Sequence, residues 1–161
     1  MEYTKLCDGV YEISPSLEPF TLVAGYDASQ GKKIASCTKQ IQDFLSSKFP
    51  RNWACGWGPH SSDLDNTGSA TYHIDGYFKT EDTNFNFDYM LLCALSNNPK
   101  NGTYLRLINQ DIGTTARIKR ILTKPWTPYL IRGNIPHRGR PIKFDVRACL
   151  RWYFNSEGKL K

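Results

Sequence analysis

The chain has 161 residues, 40% of them hydrophobic and 13% aromatic, with a formal net charge of +6 at pH 7. That length supports one domain with a sizeable buried core, and the aromatic content excludes an intrinsically disordered chain. The charge is sorted along the sequence: residues 1–100 hold 8 Lys+Arg against 12 Asp+Glu, and residues 101–161 hold 13 against 3, so an acidic portion of net −4 precedes a basic portion of net +10.

At the N-terminus, Glu2, Lys5 and Asp8 occupy the place where a secretory leader has its apolar stretch, so no targeting segment is expected. Residues 9–24 read as extended chain: Val10, Tyr11, Ile13 and then Phe20, Thr21, Leu22 and Val23 favour strands, with Pro15 and Pro19 breaking the run. A loop from Gly25 to Gly31 leads into a helix predicted over about 30–48. Ile34, Cys37, Ile41, Phe44 and Leu45 fall on one face of it, Ser29 is the expected N-cap, and Pro50 follows its end. Asn52 to Pro59 reads as a short strand running into a turn. The segment Lys48-Phe49-Pro50-Arg51-Asn52-Trp53-Ala54-Cys55 resembles the helix-to-strand passage of dynein light chains; the likeness ends there, and no function is carried over from it.

From Ser69 to Lys79 the sequence alternates. Ala70, Tyr72, Ile74 and Phe78 lie on one side and Thr71, His73, Asp75 and Lys79 on the other, which is the period of a half-buried strand. Phe85 to Leu95 turns wholly apolar and fits either a strand or a buried helix. Its apolar stretch Tyr89–Leu95 is too short to span a bilayer, which takes about 20 residues, so no membrane partner is expected. Asn97 to Gly102 is dense in turn residues, and Asn101-Gly102-Thr103 reads as a turn rather than a glycan acceptor. A strand is predicted from Tyr104 to Ile108 and a short basic helix from Thr115 to Lys124, followed by a Gly/Pro loop over 133–140. The last element is a long strand over about 142–154. Ile142, Phe144, Val146, Ala148, Leu150, Trp152 and Phe154 form one apolar face, and Lys143, Arg147 and Arg151 give a largely cationic opposite face. Together these elements predict a single α+β domain, a mostly antiparallel sheet packed by the one main helix.

The basic portion carries the functional expectation. Cations neutralise phosphates and aromatic rings stack unpaired bases, and both ingredients are interleaved there, Arg106 and Tyr104 included. The residues assigned to this role are Arg117, Lys119, Arg120, Arg132, Arg138, Arg140, Arg147 and Arg151, with Trp126 and Tyr129 as stacking platforms. The expected partner is therefore nucleic acid, RNA or single-stranded DNA, bound by a protein without a catalytic role of its own. A protein-interaction module or inhibitor, of the kind a virus or phage carries, is the first alternative, resting on the acidic portion and the missing catalytic motif.

A small nuclease or hydrolase is the second alternative. Its candidate residues are His73 and Asp75, which share a strand face as base and orienting carboxylate, and His137, placed to act as an acid beside a phosphodiester. Gly25 to Lys33 fails the phosphate-loop spacing, and Asp63 to Gly68 has Ile74 where a calcium loop needs Glu. Cys55 and His60 have no second half-site for zinc. No cofactor and no metal are expected. The five cysteines, Cys7, Cys37, Cys55, Cys93 and Cys149, are scattered and odd in number, which predicts reduced thiols in the cytoplasm or nucleus.

Overall fold

The computed structural model of the chain describes residues 1–25, 27–49, 51–56, 60–61, 72–75, 78–79, 84–85, 87–110, 116–139 and 145–160. The strands are β1 (Glu2–Cys7), β2 (Val10–Ser14), β3 (Arg51–Gly56), β4 (His60–Ser61), β5 (Phe78–Lys79), β6 (Asn84–Phe85), β7 (Tyr89–Ser96), β8 (Thr103–Gln110), β9 (Ala116–Leu122), β10 (Tyr129–Arg132), β11 (His137–Gly139) and β12 (Val146–Asn155). One helix, α1 (Ala28–Lys48), lies between β2 and β3. The predicted α+β architecture with a long C-terminal strand is what the chain adopts.

The main sheet runs in the order β1-β2-β10-β7-β12-β3, with β4 also pairing β12. Every pairing in it is antiparallel. A second antiparallel sheet has the order β11-β8-β9, and β5 and β6 form a small ribbon. The main sheet is the middle layer of three. On one side Leu91, Cys93 and Leu95 of β7 and Ala148, Leu150, Trp152 and Phe154 of β12 pack with Cys37, Ile41, Phe44 and Leu45 of α1. On the other side Met90 and Leu92 of β7 and Tyr153 of β12 pack with Leu105 of β8. All eight residues of β7 are buried. This explains its unbroken apolar run: a strand covered on both faces has no polar side to alternate with.

The helix starts earlier than its apolar period suggests. Asp27, not Ser29, is the N-cap, and its carboxylate accepts the Gln30 backbone N–H at 2.8 Å. Gln30 in turn clamps the incoming chain through both backbone groups of Val23, and Asn97 clamps Leu22 in the same way. These side-chain amides replace a sheet ladder, so residues 20–23 are ordered without being the strand their β-branched character predicts. At the other end the Phe49 N–H caps Leu45, and the Phe49 ring stacks on Phe154 at 4.5 Å.

Two further expectations change. The basic segment 115–124 is a strand, β9, not a helix: it pairs with β8 over seven residues, from Tyr104↔Leu122 to Gln110↔Ala116. Ile118, Ile121 and Leu122 have the spacing of a helix, and pairing with the neighbouring β8 edge overrides it. The alternation of the last strand is observed over β12, while residues 141–144 lie outside the described residues. Its odd-numbered face is not solvent-facing as expected, because the second sheet covers it; Arg147 and Tyr153 are buried. The turn at 97–102 is packed tightly against residue 123. Asn101 is buried, which leaves its side chain no room for a glycan, and a Cβ on Gly102 would fall 1.8 Å from the Thr123 carbonyl oxygen, so only glycine fits.

Candidate functional site

The register of the second sheet sorts its side chains. Leu105, fully buried, faces the main sheet together with its cross-strand partners Ile121 and His137. Alternation then turns Tyr104, Arg106, Arg120 and Arg138 to the outer face. Arg106 on β8 stands directly opposite Arg120 on β9, and Tyr104 stands opposite Arg138 on β11. The Arg138 guanidinium lies 5.0 Å from the centre of the Tyr104 ring and 4.9 Å from that of Tyr72, and Arg106 lies 5.8 Å from Tyr72. Three arginines from three adjacent strands and two tyrosines therefore form one layer. Like charges directly opposite on neighbouring strands destabilise a sheet. Among the described residues no carboxylate pairs with Arg106 or Arg120.

At the margin of this sheet a depression of about 300 Å³ opens toward the β1–β2 turn, lined by Cys7, Asp8, Leu107, Lys119, Arg132 and Ile135. Lys119 is exposed there, whereas Arg132 donates to Asp8 Oδ1 at 3.0 Å. That hydrogen bond raises the Arg132 pKa further, against the opposing effect of burial.

A separate polar cluster lies between the two sheets. His73 and His137 are cross-strand partners, each donating its backbone N–H to the other's carbonyl at 3.0 Å. Their ring centres are 4.5 Å apart. The Nε2 atoms of both rings lie 3.4 Å from Asp75 Oδ1. The other carboxylate oxygen, Oδ2, accepts a hydrogen bond from the Tyr153 hydroxyl and has Arg151 Nη1 at 3.7 Å. Burial, the largest single influence on Asp75, pushes its carboxyl up. Contacts from His137 and Tyr153 and the positive charges of His137 and Arg151 outweigh it and hold the pKa at about 2.

The residues singled out from the sequence separate into groups. Lys119 and Arg120 are exposed, and Arg138 lies in the outer layer. Arg132 forms an exposed ion pair with Asp8, and Arg151 lies beside Asp75. Trp126, Tyr129 and Arg147 are buried and offer nothing to a partner. The Trp126 indole donates to the Ser96 carbonyl at 2.9 Å and meets Phe20 edge-on; the Tyr129 hydroxyl donates to Glu12; the Arg147 guanidinium donates to Thr103 at 2.8 Å. The side chain of Arg117 and the whole of Arg140 lie outside the described residues. The candidates His73, Asp75 and His137 are brought together. Tyr72 joins the outer layer from the acidic portion; its signal was the position before His73 on the alternating segment, which turns it to the opposite face.

No protein-family model, no curated protein and no solved structure matches the chain. Among the described residues no helix is long and apolar enough to cross a membrane.

Proposed function

We propose that the chain binds nucleic acid, RNA or single-stranded DNA, on the outer face of the three-stranded sheet. The observation that supports this reading is the Arg106–Arg120 cross-strand pair with Arg138, Tyr72 and Tyr104 in the same layer. Among the described residues the like charges of Arg106 and Arg120 face one another without a carboxylate between them, and a polyanion laid across the layer relieves their repulsion. Guanidinium groups grip phosphates bidentately, and both tyrosine faces and guanidinium planes are stacking surfaces for unpaired bases. Lys119, the cross-strand partner of Leu107, is exposed at the sheet margin on the opposite face and does not belong to this layer. Duplex DNA fits less well, because a flat sheet face does not enter a major groove in the way a helix or two-stranded ribbon does.

Binding of labelled single-stranded RNA, single-stranded DNA and duplex DNA at two salt concentrations tests the reading. Three phosphate contacts predict roughly a twentyfold loss of single-strand affinity between about 50 and 200 mM salt. Salt-independent binding, or none at low salt, contradicts it.

A second reading, a small nuclease or hydrolase, is favoured by the convergence of His73, Asp75 and His137. The same oligonucleotides, followed for cleavage over hours, decide it: turnover that disappears in His73→Ala supports hydrolysis, and intact substrate removes it.

A further inference from the structure

We propose that His73, Asp75 and His137 bind one divalent transition-metal ion of the zinc type. The His137 side chain is only 5% exposed. Its Nδ1 lies 3.1 Å from the Ile135 carbonyl oxygen. A carbonyl only accepts, so Nδ1 carries a hydrogen, and whenever the ring is neutral its lone pair is at Nε2. That lone pair is buried, has no hydrogen-bond partner, and faces a carboxylate oxygen at 3.4 Å. Two acceptors pointed at each other repel unless a proton or a metal cation lies between them. An imidazole fixed through one nitrogen by a backbone carbonyl, with the other nitrogen aimed at a carboxylate oxygen and a second imidazole, is oriented as metal-ligating histidines are.

The remaining donors fit the same ion. His73 Nε2 is 3.4 Å from the same Asp75 Oδ1, and the three donor atoms all lie within 4.8 Å of one another. A tetrahedral ion with bonds of about 2.0–2.1 Å separates its ligands by about 3.3–3.4 Å. The two imidazole–carboxylate spacings therefore already suit an ion, and the two imidazole nitrogens lie within 4.8 Å of each other. Asp75 keeps Oδ1 for the ion because Tyr153 holds Oδ2. Two imidazoles and one carboxylate are a borderline donor set, which selects Zn²⁺, Co²⁺ or Ni²⁺ over Mg²⁺ or Ca²⁺. Ile74 and Asp75 line an open depression of about 450 Å³, which gives an entry path. Three protein ligands leave a fourth position for water. This site is independent of the nucleic-acid surface, since the inward and outward faces of the sheet are distinct.

The test uses the full chain stripped of metal by a chelator and titrated with Zn²⁺ by calorimetry and with Co²⁺ by visible absorption. The expected result is one ion per chain at micromolar affinity or tighter, with a cobalt spectrum lacking a thiolate charge-transfer band. His73→Ala and Asp75→Asn each weaken binding by at least about 100-fold, more than the 10–100-fold typical of losing an outer-sphere partner. Zn²⁺ raises the unfolding midpoint of the natural chain but not that of His73→Ala; because His73 is half-exposed, that variant unfolds without metal much as the natural chain does. Binding no tighter than millimolar, binding that survives His73→Ala, or a thiolate band marking cysteines as the ligands overturns the proposal.

Discussion

Trp152→Ala is expected to destabilise the fold by about 3–5 kcal/mol and to lower the thermal unfolding midpoint by roughly 10 °C. Trp152 is 1% exposed and sits on the helix-facing side of β12, the strand that joins β7 to β3. Its indole N–H donates to Gln42 of α1 at 2.8 Å, so one side chain fills the space between helix and sheet and also fixes their register. Truncation opens a cavity lined by neighbours that cannot collapse into it, since α1 is held at both ends by its caps and by the clamp of Gln30 on Val23. Trp152→Phe separates the two contributions. It keeps most of the apolar volume and loses the hydrogen bond, worth about 1 kcal/mol, together with part of the packing. Chemical denaturation of the three proteins checks the order, with the natural chain most stable and the alanine variant least. An alanine variant within about 1 kcal/mol of the natural chain would contradict the three-layer packing.

The second large effect is expected at the arginine layer and has opposite signs in two measurements. Arg120→Glu places a carboxylate opposite Arg106 and turns a repulsive cross-strand pair into an attractive one, which should leave stability unchanged or raise it by up to about 1 kcal/mol. The same substitution should weaken single-strand binding by 10-fold or more and lower the magnitude of the salt slope by about 1. Adding Arg106→Glu removes a second phosphate contact and should bring the loss to roughly 100-fold. A stability gain with a binding loss is the signature of a charge arrangement kept for a ligand and not for the fold. Thermal unfolding and anisotropy on the same preparations read both. A variant that loses stability and binding together points to a structural role for Arg120 instead.

Local periodicity made much of this fold legible, and tertiary partners hid the rest. The amphipathic period of α1 and the alternation of β12 are local properties, so both elements could be read directly. The cationic odd face of β12 suggested a solvent side because nothing local indicates that a second sheet covers it. There Arg147 donates to Thr103 and Arg151 lies beside Asp75, both distant in sequence. For β9, three apolar residues at helical spacing suggested a helix, and pairing with β8 overrides that local period. Trp126 and Tyr129 looked like stacking platforms by composition, whereas their polar atoms anchor the core at Ser96 and Glu12. The period of two placed His73 and Asp75 on one face. That His137 faces them depends on the bridge between residues 73 and 137, which no short window contains. The arginine layer was half legible: the charge sorting marked the right portion of the chain, but only the strand register shows that Arg106 and Arg120 are opposed.

The most direct test of the proposed binding surface is amide chemical-shift mapping of the isotopically labelled chain with a short single-stranded RNA at low salt. The largest perturbations should fall on Tyr104, Arg106, Arg120 and Arg138 of β8, β9 and β11, and fade as salt is added. Perturbations concentrated on α1 or on β1, or no perturbation at any salt, would contradict it.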